Sequence, residues 1–166
     1  MKKYFIGLLV IAGVVCSCSS DKNEDSSDEA TPLNAILGTW DATSLNIDVN
    51  TASQDAILAQ QFLNLLTEDG CYVLTLQFNE DLTATATNSA NYITIDASTL
   101  EVPCPTQSDV ETSTYTFDGS VVAIVNASGE TLSVDVTIDG DAMYVDAADL
   151  EIPEFTESGE LVFTKR

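Results

Sequence analysis

Histidine is absent, and basic residues are scarce: five Lys plus Arg stand against 27 Asp plus Glu, a formal charge of −22 at pH 7. Without histidine the chain lacks the commonest general base and the commonest transition-metal ligand. Ser-His-Asp and Cys-His catalysis are thereby excluded. A chain this acidic repels phosphate and has no basic patch to release counterions, which argues against nucleic acid as a partner. Neither G-x-G-x-x-G nor a Walker pattern occurs, and the many serines have no base to activate them. Uncharged apolar runs stop short of the roughly 20 residues that a membrane-spanning helix needs. The length, 166 residues, suits one domain with a real core. Nothing in the composition calls for a cofactor.

The chain opens with a short basic start, Met1-Lys2-Lys3, followed by twelve uncharged and mostly large apolar residues, Tyr4 to Val15. That length fits the h-region of a secretory signal. Val15-Cys16-Ser17-Cys18 then resembles the bacterial lipoprotein signal, in which an aliphatic residue at −3 and a small residue at −1 precede an invariant Cys. Cys18 fits, with Val15 and Ser17 in those places; Cys16 fits badly, with Gly13 and Val15 there. The resemblance implies that residues 1–17 are a signal peptide cleaved before Cys18, and that Cys18 carries the lipid that makes the membrane a partner. Residues 18–31 hold several acids, a single Lys and no large apolar side chain, which is the composition of a flexible tether. An acidic stretch after the lipidated Cys resembles the surface-export signal of Bacteroidetes-type lipoproteins; the plainer reading is a solvated spacer. Ser19 at +2 departs from the Asp that marks inner-membrane retention. The expected location is therefore the outer membrane, at its periplasmic face or at the cell surface.

The folded domain should span residues 32–166. Its dominant signal is alternation of period two between Gly, Asn and Asp turns. Strands are expected over Leu37–Asp48, Cys71–Asn79, Thr83–Thr87, Tyr92–Asp96, Thr112–Phe117, Val121–Val125, Leu132–Ile138, Ala142–Asp146 and Glu160–Lys165. Tyr72, Leu74, Leu76 and Phe78 share one face of the second. Asp118-Gly119 favours a type I′ hairpin, and Asp139-Gly140 turns the next pair. Eight or nine strands joined by short turns make an all-β antiparallel meander. Such a meander removes its edges by closing into a barrel, with an open sandwich as the rival. One segment breaks the pattern. Ser53 to Glu68 places Leu58, Phe62, Leu65 and Leu66 at helical spacing, with Thr51 or Ser53 as cap and Asp69-Gly70 as stop. This helix between the first two strands either covers a barrel mouth or packs on the sheet as a core element.

Gly38-Thr39-Trp40 opens the first strand, and G-x-W at the start of an eight-stranded meander resembles the lipocalin signature. Leu76 to Thr83 resembles the L-x-F-x-x-D/G-x-T hairpin of bacterial lipocalin-like lipoproteins, and Cys71 with Cys104 resembles the cysteine pair of that group. The resemblance runs from Leu37 onward. It implies a lipocalin-like barrel of about eight strands, with a basic residue of the last strand, Lys165 or Arg166, over Trp40. The helix departs from the family pattern. Trp40 and Ala42 also share a parity that Leu45 and Ile47 do not, which a bulge would repair. Apart from the resemblance, Gly38 permits close approach, and Trp40 can plug a barrel end while its N–H finds a carbonyl.

Once Cys16 is removed and Cys18 lipidated, Cys71 and Cys104 remain as an even pair in an exported domain, which reads as a disulfide. Free redox thiols are the alternative, but no C-x-x-C spacing and no basic neighbour supports them. Acid pairs at Glu68-Asp69, Glu80-Asp81 and Asp139 with Asp141 sit at turns, where Asp is favoured for local reasons; no Ca²⁺-loop pattern surrounds them. Tyr72, Phe78, Tyr92, Tyr115, Phe117 and Tyr144 fall within expected strands and are candidates to line a cavity, with small Ala84 and Ala86 leaving room beside them. The expected function is non-enzymatic binding of a small apolar or amphipathic molecule in the barrel mouth. The alternative is a filled barrel serving as an accessory interaction module.

Overall fold

A computed structural model describes residues 32–99, 101–126, 128–150 and 159–166. The expected signal peptide, lipidation site Cys18 and tether, residues 1–31, lie outside the described residues. Eight strands follow in chain order: β1 (Gly38–Asn46), β2 (Leu74–Phe78), β3 (Thr83–Asn88), β4 (Asp109–Phe117), β5 (Val121–Val125), β6 (Thr131–Asp139), β7 (Ala142–Asp146) and β8 (Glu160–Lys165). Each pairs antiparallel with the next, and β8 returns to β1, so the meander closes into a barrel without a free edge. A short helix α1 (Pro32–Ile36) precedes β1, and α2 (Gln54–Glu68) lies between β1 and β2.

Closure follows from the alternation. On β6, Val134 and Val136 are buried while Ser133, Asp135 and Thr137 face solvent. On β8, Leu161 and Phe163 are buried while Glu160 and Thr164 are exposed. Apolar-in, polar-out strands make a barrel with an apolar interior and a wet exterior, the inverse of a barrel that faces lipid. The parity slip in β1 is a bulge: its register with β8 shifts between Ala42 and Ser44, which lets Trp40, Ala42 and Leu45 all turn inward.

Three local expectations are corrected. Residues 93–96 form no strand; a 3₁₀ turn covers Ala90–Tyr92 instead. The β3–β4 ladder ends at Asn88↔Asp109, so Ile93-Thr94-Ile95 has no strand beside it to pair with. The 118–121 connection is not a type I′ turn, because only Gly119 takes positive φ there. The Asp118 carboxylate organises it by accepting from the backbone N–H groups of Ser120 and Val121. Finally, α2 buries Ala56, Leu63 and Leu66, while Leu58 and Leu65 of the expected apolar face stay about half exposed, at 47% and 45%. Ser53 caps the helix by accepting from the Ala56 N–H at 3.2 Å, and Asp69 with Gly70 ends it.

Candidate ligand cavity

Register divides the barrel into a closed base and an open mouth. At the base, α1 lies across the start of β1, and the short turns β2–β3, β4–β5 and β6–β7 gather there. Trp40 and Phe163 are fully buried, with Met143, Tyr115 and Phe78 almost so. The Trp40 indole N–H donates to the Ile36 carbonyl at 2.7 Å, so the plug's polar atom is satisfied from the helix that caps it. Lys165 lies over the indole at 5.1 Å and donates to the Ala35 carbonyl. A Cβ on Gly38, whose φ is +119°, would come within 3.0 Å of the Lys165 side chain. The positive φ favours glycine there, and a side chain would also push the flexible Lys165 aside. Phe78 and Tyr115 meet edge to face at 5.0 Å, and the Tyr115 hydroxyl donates to the Asn79 carbonyl. Burial, with the Asp81 charge as a lesser cause, raises the Tyr115 pKa above the usual phenol value.

Outside the base, Asp41 is buried at the β1–β2 junction. Its Oδ1 accepts from the Thr75 hydroxyl at 2.6 Å and from the Arg166 guanidinium at 2.8 Å. Arg166 also lies 5.8 Å over the Tyr72 ring. Both basic residues of the domain are thus engaged at the joint between the first and last strands.

Above the base, a cavity of about 1190 Å³ fills the upper barrel. Its deeper wall is Ala42, Phe78, Ala84, Leu161 and Phe163; α2 adds Ala59, Phe62 and Leu63. Ala90, Val110 and Thr131 line it and are also exposed, so the opening lies at the end where α2, the 89–108 connection and the β5–β6 turn converge. The helix is both things expected of it: packed on β1 and forming part of the mouth. Its Gln60 side chain donates to the Leu45 carbonyl at 2.6 Å. The Cys71–Cys104 disulfide fastens the 89–108 connection to the segment entering β2, with Cα atoms 5.8 Å apart. It thereby fixes one side of the mouth.

Of the aromatic candidates, Phe78 lines the cavity. Tyr115 and Phe117 belong to the core beneath it. Tyr92 sits in the 3₁₀ turn at the rim and donates to Asp109 at 2.7 Å, which raises its pKa. Tyr72 and Tyr144 lie outside the cavity. Tyr72 precedes the strand, because the chain bends at Val73 and breaks the alternation. Tyr144 has the parity opposite to buried Met143 and Val145 and lines an outer groove of about 470 Å³ with Asp135 and Asp146. Both small residues, Ala84 and Ala86, do line the interior.

Sequence reasoning missed the three acidic lining residues, Asp109, Glu111 and Glu130. A signal for two of them existed. Asp109, Glu111, Ser113 and Tyr115 share parity on β4, so an inward Tyr115 implies inward carboxylates above it. Among the described residues, no group of three or more His, Cys, Asp or Glu is arranged to hold a metal ion. The acids at the other turns serve local roles, as when Asp81 accepts from the hydroxyl and the N–H of Thr83, which lowers its pKa. No protein-family model and no curated protein matches the chain.

Proposed function

We propose that the protein is a lipid-anchored outer-membrane lipoprotein whose lipocalin-like barrel binds a small apolar or amphipathic molecule without chemical turnover. The observation that carries the binding reading is the interior void: about 1190 Å³, apolar at depth and open at one end. That is the size and character of a small-molecule site, and of a barrel that holds one ligand. The lipocalin-like assignment is supported by Gly38-Thr39-Trp40 at the head of β1, the closed eight-strand meander and Lys165 over Trp40. Lipid attachment at Cys18 and the outer-membrane location rest on the sequence pattern around Val15-Cys16-Ser17-Cys18. The void favours ligand binding over the filled-barrel interaction module.

Burial of ligand surface against the walls supplies the driving force, at roughly 25 cal/mol per Å² of apolar area before the costs of association. Native mass spectrometry of the full chain, exported and purified without detergent, tests this. The expected spectrum contains a co-purified small molecule, or a one-to-one adduct with an added neutral naphthylamine fluorophore. A spectrum of bare protein that takes up no apolar probe would contradict the reading.

A further inference from the structure

Resting on the cavity reading above, we propose that the ligand is an amphiphile with a cationic nitrogen head, its apolar body in the barrel and its head at the β4 wall of the mouth. Turn carboxylates alone would mean only a solvated rim. Here the carboxylates stand on the wall of an apolar void, placed by strand register.

The inner face of β4 is a polarity gradient. Tyr115 is buried at the base; Ser113 is opposite Ala84, Glu111 opposite Ala86, and Asp109 opposite Asn88. From Tyr115 to Glu111 the strand climbs roughly 13 Å. Both carboxylates line the cavity and are exposed to it, and Glu130 from the neighbouring turn joins them. Asp109 is held by the Tyr92 hydroxyl and, at 3.4 Å, by Asn91. Glu130 accepts from Asn126 at 3.1 Å and Ser128 at 2.9 Å; these bonds, Asn126 first, keep its pKa low. Among the described residues no hydrogen bond engages the Glu111 carboxylate, which leaves it open to a ligand donor.

Among the described residues, no Lys or Arg lines the cavity. Lys165 is engaged at the base by the Ala35 carbonyl, and Arg166 pairs with Asp41 on the outer face of β1. A carboxylate or phosphate head in the mouth would meet like charges in a cavity whose apolar walls focus the field. An ammonium head would find charge-assisted acceptors instead. The gradient also orients the ligand, because its apolar body has no polar partner to seek at depth.

Displacement of a neutral naphthylamine fluorophore from the full chain tests this, with dodecylamine, dodecanol and dodecanoate as competitors of equal length, each below its micelle concentration. The amine should bind about tenfold more tightly than the alcohol, a decade corresponding to about 1.4 kcal/mol, and dodecanoate should be weakest. Raising salt should narrow the spread. The double variant Asp109→Asn, Glu111→Gln should bring the amine to within about threefold of the alcohol measured on the same variant. Dodecanoate binding as tightly as dodecylamine to the unaltered protein would overturn the proposal, whatever the variant does. So would an amine preference that survives in a folded double variant. Failure of all three competitors and the fluorophore to bind would overturn the cavity reading, and this inference with it.

Discussion

Gly38, Trp40 and Lys165 form one mechanical unit at the barrel base, and each member fails in its own way. Trp40→Ala would open a large void in a fully buried site and cost about 3–5 kcal/mol, read as a lowered urea midpoint. Gly38→Ala strains a backbone at φ +119° and pushes against Lys165, so it should destabilise and displace the ammonium from the indole, visible as a change in tryptophan emission. G-x-W made both roles legible in the sequence, because the residue types themselves carry the geometry. The turn carboxylates give a second prediction. Asp48, Asp81, Asp96 and Asp118 accept local hydrogen bonds that lower their pKa values in the folded chain; for Asp118 the Ser120 N–H is the largest cause. A depressed folded pKa gives stability that is complete above the unfolded value and lost as pH falls through the folded one. Urea midpoints at fixed high salt should therefore decline below about pH 4, and Asp118→Asn should reduce that slope. A midpoint unchanged down to pH 2 would contradict it.

Elements were legible where period two has a partner strand to enforce it, and misread where neighbours decide. Ile93-Thr94-Ile95 has strand-like composition, but the adjacent ladder has already ended at Asn88↔Asp109. In α2 the apolar residues exceed one face, so spacing alone could not choose which would be buried; contact with β1 chose Ala56, Leu63 and Leu66. Leu66→Ala should therefore cost about 2–5 kcal/mol, whereas Leu58→Gln should stay within about 0.5 kcal/mol of the parent. Equal losses would mean that the helix sits differently on the barrel. The disulfide was legible from the pair of cysteines left in the domain once the chain is read as exported, although its position at the mouth was not. Replacing Cys71 and Cys104 with Ser should lower stability by about 3–4 kcal/mol in the chain-entropy model. The barrel should persist, because neither cysteine lies in a strand.

Over the whole molecule, charge and volume are arranged along one axis. Lys165 covers the base, Arg166 pairs with Asp41 on the outer face, carboxylates rim the mouth, and an apolar void lies above the base. The net charge of −22 argues against nucleic acid; the carboxylates at the mouth are what the proposed cationic head rests on. Whether the interior was filled or hollow could not be read from the sequence, because it depends on how Ala84, Ala86 and Ala42 stack across strands distant in sequence. The central claim is that this void binds a ligand, and filling it tests that claim most directly. Ala86→Trp projects an indole into the cavity without altering the base. Isothermal titration with the neutral naphthylamine fluorophore should show saturable binding to the unaltered protein, and none to an Ala86→Trp variant with an unchanged melting temperature. Equal binding by both proteins, or by neither, would contradict the account.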